Sequence, residues 1–131
     1  MSTNSKTPPP LHELEAEVMD AVWSSGKDEI TVREIMDVLN KRTKNPRAYT
    51  TYMTIMRRLD SKELLTRRRD GKTDIYRPVH SREEYADLRA QAEVDQLVEQ
   101  YGEVALSHFA RQMAGLDPQR RRQLQRLARK S

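Results

Sequence analysis

The stretch from Ala48 to Pro78, AYTTYMTIMRRLDSKELLTRRRDGKTDIYRP, decides the fold. Its first half repeats apolar residues at helical spacing. Ala48, Tyr52, Ile55, Met56 and Leu59 form the inner stripe of a helix over residues 48–61. Thr50, Thr51, Met53, Thr54, Arg57 and Arg58 fall on outward or flanking positions. In its second half, two short strands, 64–69 and 74–77, flank Asp70-Gly71, a strong short-range hairpin signal. Leu65, Ile75 and Tyr76 are expected to anchor the hairpin, while Arg67, Arg68, Arg69 and Lys72 project. A helix with threonines and arginines on its outer face, followed by a basic hairpin, is the layout of a winged helix-turn-helix. The helix suits a major groove and the hairpin suits the flanking phosphates.

Working outward, a helix over 12–24 is expected from Leu11, Leu14, Val18 and Val22, with Ala21 and Trp23 nearby as core. Glu13, Glu15, Glu17 and Asp20 are expected on its other faces, and Ser24-Ser25-Gly26 ends it. Residues 29–31 suit a very short strand. Thr31 and Glu34 then make a capping box for a helix over 32–42. A polar turn containing Asn45-Pro46 leads into the decisive helix. Beyond the hairpin, Ser81 and Glu84 make a second capping box, and no further strand signal occurs. Helices are expected over 82–101 and 103–114, and a third begins at Asp117-Pro118. The predicted fold is therefore mostly α with a small β-wing: a flexible tail at 1–10, a winged-helix DNA-binding domain at 11–80 and a three-helix dimerisation domain at 81–131.

Composition narrows the function. The chain has 131 residues, 36% hydrophobic and 34% charged, which suits a small helical core better than a large sheet. It has no cysteine, which removes disulfides, thiolate catalysis and Cys-based metal sites. No apolar run approaches the ~20 residues of a membrane helix. The first ten residues, MSTNSKTPPP, lack the apolar stretch of a signal peptide, so the expected home is the cytoplasm. His12, His80 and His108 are isolated, no nucleophile motif surrounds a serine, and no Gly-rich phosphate loop exists. Neither an enzyme nor a cofactor is expected.

The net charge of +4 is distributed in blocks. Residues 1–40 sum to −5, 41–78 to +8, 79–117 to −5 and 118–131 to +6. Such blocks imply a local polyanion-binding surface. Arginine can fork onto guanine O6 and N7, and threonine can hydrogen-bond a base or place its methyl against thymine. Thr50, Thr51 and Thr54 lie in the N-terminal half of the helix, and Arg57 and Arg58 a turn further on. Threonine is a weak helix former, so three in one helix need an explanation, and capping accounts for one at most. Arg67, Arg69 and Lys72 suit phosphate contacts, which give affinity more than sequence choice. The plain alternative for the arginine run is an edge strand protected from aggregation by charge. For Arg120 to Arg122 the favoured reading is a solvated face.

Helices 4 to 6 carry apolar stripes that some 50 residues cannot bury alone, so a second copy is the economical partner. Two such domains spaced by about one DNA turn, ~34 Å, suit a palindrome.

These residues resemble the penicillinase-repressor family, the BlaI/MecI/CopY group of bacterial winged-helix transcriptional repressors. The resemblance covers residues 11–131 and rests on LHELEAEVMDAVW at 11–23, TVREI at 31–35, TTYMTIMRRLDSKELL at 50–65 and DIYRPV at 74–79. Thr51, Thr54, Arg58 and Leu59 form its most specific run, and ALSHFARQMAGLDPQRRRQL at 105–124 matches more weakly. The resemblance implies a homodimer that binds a palindromic operator and blocks transcription, in a setting of antibiotic resistance. It carries operator contacts onto Thr50, Thr51, Thr54, Arg57 and Arg58, and wing contacts onto Arg67, Arg69 and Lys72. It places the dimer in the carboxy-terminal helices, here Tyr85, Leu88, Leu97, Phe109, Leu124 and Leu127 by pattern. It also implies release by a sensor-linked protease at an Asn-Phe bond, whose counterpart here is His108-Phe109. The Cys-rich sensing of the copper-responsive branch is excluded by the absence of cysteine.

Two other readings share some of these features. A non-specific or architectural nucleic-acid binder shares the charge, and a winged helix used for protein contact would turn its basic face to an acidic partner.

Overall fold

The computed structural model describes residues 7–130. The chain forms two compact units, residues 1–90 and 91–131, which divide inside the fourth helix.

In the first unit, α1 (Glu13–Ser24), α2 (Val32–Asn40) and α3 (Tyr49–Ser61) precede β1 (Leu65–Asp70) and β2 (Thr73–Pro78). α2 starts where Thr31 and Glu34 cap each other. The Glu34 amide donates to Thr31 Oγ1 at 3.2 Å, and the Thr31 amide donates to Glu34 Oε1 at 2.9 Å. α2 stops at Asn40, short of the expected residue 42, and Asn40 turns its side chain to the loop that follows. Val18, Met19, Val22, Ile35, Leu39, Tyr52, Ile55, Met56, Leu59, Leu64, Leu65 and Tyr76 build one core from all three helices and the hairpin. Ala48 does not join this stripe. It caps α3 and is exposed.

β1 and β2 pair antiparallel, with Asp70 opposite Thr73, so the two-residue loop is Gly71-Lys72 and not the expected Asp70-Gly71. Gly71 has φ +63°, the conformation a tight hairpin needs at its first loop position and one that glycine adopts without strain. Ile30 adds a single bridge to the outer side of β2, exchanging 2.9 Å hydrogen bonds with Tyr76 in both directions. The expected strand at 29–31 is thus reduced to one residue. Alternation along β2 separates Ile75 from Tyr76: only Tyr76 is fully buried, so the pair cannot both anchor the hairpin from one face.

α1 holds one surprise. Glu15, expected on an outer face, is 1% exposed. Lys62 Nζ donates to both of its oxygens, at 2.8 and 2.9 Å, and the His12 amide donates at 3.0 Å. Burial pushes this carboxyl up, but the Lys62 ammonium and the His12 amide outweigh it and hold the group below its usual 4.5. Lys62 is also where α3 ends. Glu63 follows with φ +63°, the Leu64 amide reaches the Leu59 carbonyl at 2.9 Å, and the Glu63 amide reaches that of Asp60 at 3.0 Å. This is a Schellman ending, with a glutamate where glycine is usual.

α4 (Arg82–Tyr101) begins at the second capping box, where the Glu84 amide donates to Ser81 Oγ at 3.0 Å. Its first two turns belong to the first unit. Tyr85 packs against the core, its ring centroid 5.5 Å from that of Trp23, whose indole nitrogen donates to the His80 carbonyl at 2.9 Å. Arg82 caps this corner over the Trp23 ring and bonds Asp20 at 2.6 Å. Of the expected flexible tail, residues 1–6 lie outside the described residues. Its end is anchored: Pro8 is buried, the Tyr85 hydroxyl donates to the Pro9 carbonyl, and Arg89 donates to that of Pro8, both at 3.0 Å.

The second unit holds the rest of α4, α5 (Glu103–Ala114) and α6 (Pro118–Lys130). Gly102 links the first two with φ +59°. Asp117 caps α6 through a 2.9 Å bond from the Arg120 amide. Ala105 is the one buried hydrophobic among the described residues of this unit. No helix among the described residues is long and apolar enough to cross a membrane.

Candidate nucleic-acid interface

α3 buries Tyr52, Ile55, Met56 and Leu59, which fixes what its opposite face presents. Residues 50, 54, 57 and 58 recur at i, i+4, i+7 and i+8, and 51 flanks them, so one stripe carries Thr50, Thr51, Thr54, Arg57 and Arg58. Thr50, Thr54, Arg57 and Arg58 are exposed and Thr51 is half-buried. Ala48 has no side chain to cap the helix, so its first amides are left to solvent or to an anion.

The start of α3 is held by a residue the sequence reading passed over. Asn40 Oδ1 accepts from the Arg47 amide at 3.0 Å and from the Tyr52 hydroxyl at 2.7 Å, while its Nδ2 donates to the Arg47 carbonyl at 3.0 Å. One amide thus closes the turn between α2 and α3 and ties it to the core tyrosine. Its signal in the sequence was weak, because an Asn at a helix end reads equally well as a simple stop. Arg33 of α2 lies 5.7 Å from the Tyr49 ring centroid at the same end of α3.

The wing arginines divide by strand alternation. Arg67 and Arg69 share the face of Leu65, Asp74 and Tyr76, whereas Arg68 points the other way. Arg68 forks onto Glu29, with bonds of 2.9 to 3.2 Å, so it does not project freely with its neighbours. Arg67 and Arg69 converge instead on Asp74. Arg69 Nη1 lies 3.1 Å from Asp74 Oδ1 and Arg67 Nη1 3.6 Å from Oδ2. Arg57 reaches the same carboxylate from α3, at 3.4 Å. Arg67 also lies 3.5 Å from Asp60.

Asp74 is therefore the joint between the helix and the hairpin. Its side chain is 9% exposed. Burial raises its carboxyl, but the hydrogen bonds from Arg69 and Arg57 and the charge of Arg67 hold it below its usual 3.8. Two residues on, the Tyr76 hydroxyl is fully buried without a hydrogen-bond partner among the described residues, and burial pushes its ionisation up. Arg58 and Lys72 make no ion pair among the described residues. The correct loop, Gly71-Lys72, would have placed Asp74 opposite Arg69 from sequence. The shifted turn hid that pairing.

The remaining predicted residues fall in two places. Tyr85 and Leu88 lie in the first unit, and Tyr85 is spent on Trp23 and Pro9. Leu97, Phe109, Leu124 and Leu127 lie in the second unit and are all exposed. His108 and Phe109 sit in the middle of α5, both exposed.

Three helices, a turn that sets the third, and a two-stranded basic hairpin define a winged helix-turn-helix protein. The sequence profile described as penicillinase repressor matches residues 11–130, and the chain belongs to that family. It is 41% identical over 88 residues to the transcriptional regulator BlaI of Mycobacterium tuberculosis, in strains CDC 1551 / Oshkosh and ATCC 25618 / H37Rv alike. The match takes in 63% of this chain and spans 62% of the length of those relatives. Among solved structures it is similar to the DNA-binding domain of the repressor BlaI in solution, at 26% identity and a TM-score of 0.49, over 59% of this chain and 89% of that one. A second is the Bacillus licheniformis BlaI monomeric form in complex with the blaP half-operator, at 26% identity and 0.46, with the same coverage.

Proposed function

We propose that this chain is a transcriptional repressor that binds a palindromic operator in duplex DNA as a homodimer, working in the cytoplasm beside that DNA. The observation that carries this reading is the continuous surface from α3 to the wing. Thr50, Thr51, Thr54, Arg57 and Arg58 lie on one stripe, and Asp74 joins that stripe to Arg67 and Arg69. A helix of this size presents about 3–4 side chains to base edges, which the stripe supplies. Lys72 at the hairpin tip suits a backbone phosphate. Membership of the family supports the repressor role.

The domain division that goes with this reading is a DNA-binding domain at 11–80 followed by a dimerisation region from 81, with the dimer contacts drawn from its far part. Leu97 and Phe109 stand 41% and 39% exposed, and Leu124 and Leu127 extend the apolar surface along α6. Apolar side chains at this density suit burial against a second copy. Release by a sensor-linked protease at His108-Phe109 belongs to the same reading. That bond lies inside α5, so cleavage there requires local unwinding. An unchanged intact mass after induction would remove that step.

The variant pair Thr54→Ala with Arg57→Ala tests recognition against plain charge attraction. A specific reader loses discrimination between operator and random duplex, whereas Lys72→Ala weakens binding to all DNA about equally. Uniform loss from both changes would favour the architectural reading instead.

A further inference from the structure

Three cations and one carboxylate meet where α3 touches the wing. Asp74 takes Arg69 at 3.1 Å, Arg57 at 3.4 Å and Arg67 at 3.6 Å. Its side chain is nearly enclosed, whereas those of the arginines are 59%, 46% and 37% exposed. The carboxylate is thus enclosed, while the guanidinium groups it holds stay open to solvent and to a ligand. Arg58 and Lys72, exposed on the same helix and hairpin, have no such tether among the described residues.

We propose that Asp74 is a specificity-determining residue: a built-in counter-charge that holds Arg57, Arg67 and Arg69 in one constellation and withholds part of their charge from arbitrary phosphates. The inference rests on the DNA reading above and deepens it. An unpaired arginine can swing to a phosphate on any duplex, and such contacts carry affinity without sequence information. An arginine already held by a carboxylate gains less from a phosphate, because it exchanges one anion for another. It keeps a fixed direction, which favours the forked contact with a base edge. The carboxylate also repels every phosphate alike. Together these effects lower binding to random DNA more than binding to the matched site.

The test uses the full-length chain, a native duplex from upstream of its own gene and a shuffled duplex, titrated across a range of salt. Asp74→Asn keeps the shape and removes the charge. It is expected to bind the shuffled duplex more tightly, to steepen the dependence of log affinity on log salt by about 0.9, and to lower the ratio between native and shuffled affinity. Asp74→Glu keeps the charge and is expected to restore the wild-type salt dependence. Arg69→Gln approaches the same pair from its exposed side and keeps the test decisive if Asp74→Asn fails to fold. It is expected to reduce the salt slope less than Lys72→Gln does. The inference is overturned if Asp74→Asn leaves ratio and slope at wild-type values, if it weakens both duplexes equally at an unchanged slope, or if Arg69→Gln and Lys72→Gln reduce the slope alike. A wild-type chain that fails to distinguish the duplexes overturns the operator reading and this inference with it. A discriminating wild type beside an equally discriminating Asp74→Asn overturns this inference alone.

Discussion

The two units of this chain spend their apolar residues in opposite ways. In the first, α1, α2, α3 and the hairpin enclose fifteen buried hydrophobic residues in one cluster, and even a glutamate is drawn inside with its own lysine. In the second, Ala105 is the one buried hydrophobic among the described residues, while Val94, Leu97, Tyr101, Val104, Leu106 and Phe109 stand open. The first unit has the core of a self-sufficient domain. The second leaves an apolar surface open, the kind of surface that the proposed dimer would bury.

The largest expected effect breaks this contrast at the second unit. Phe109→Asp removes a side chain whose burial contributes about 1.5–3 kcal/mol and adds a charge to an apolar contact. Dimerisation is expected to weaken by more than ~100-fold, given 1.4 kcal/mol per factor of ten, with the melting of the first unit unchanged. Sedimentation velocity and thermal unfolding of the same variant check both halves. An unchanged dimer would move the interface away from α5.

Next in size is the core of the first unit. Leu59 is fully buried at the end of α3, and Leu59→Ala is expected to cost about 3 kcal/mol by urea unfolding. Leu97→Ala, made in the chain kept monomeric by Phe109→Asp, should cost far less, because Leu97 is 41% exposed there. Similar costs at the two positions would erase the distinction between the units.

Glu15 gives a smaller effect with a pH signature. Glu15→Gln is expected to cost about 2 kcal/mol at neutral pH, the scale of a hydrogen-bonded charge. Because the folded carboxyl lies below 4.5, its contribution is fully present above that value. It is lost as pH falls through the lower folded value. Unfolding of the wild type against pH should therefore show a loss of stability below pH 4.5 that Glu15→Gln lacks. A variant as acid-sensitive as the wild type would remove Glu15 as its source.

The smallest effect sharpens the picture. Glu63 holds φ +63° at the end of α3. Glu63→Gly relieves a left-handed conformation costing about 1 kcal/mol and should stabilise the first unit by that amount. A destabilised variant would mean that the Glu63 side chain has work of its own.

What could be read from the sequence was what depends on near neighbours. The caps at Thr31, Ser81 and Asp117 lie within three residues of their partners, and each forms as expected. The buried stripe of α3 follows from a repeat of 3.6, apart from Ala48, which sits one residue before the helix. What escaped depends on distance along the chain. Glu15 is buried with its charge met by Lys62, which arrives 47 residues later. Tyr85 turns back to Trp23 and to Pro9, 76 residues earlier. Asp74 matters because α3 crosses the hairpin at that carboxylate, and a turn placed one residue early concealed its cross-strand partner. Periodicity named the stripe of candidate contacts, but the carboxylate that pairs Arg57 of that stripe with Arg67 and Arg69 of the wing is a tertiary fact.

The central claim is that α3 and the wing read a particular duplex. It is tested most directly by fluorescence anisotropy with DNA from upstream of the protein's own gene, beside a shuffled duplex of the same composition, at two salt concentrations. The account predicts binding at least ~10³-fold tighter to the native duplex, with the preference surviving at the higher salt. Equal affinities that collapse together as salt rises would contradict it and leave phosphate attraction alone.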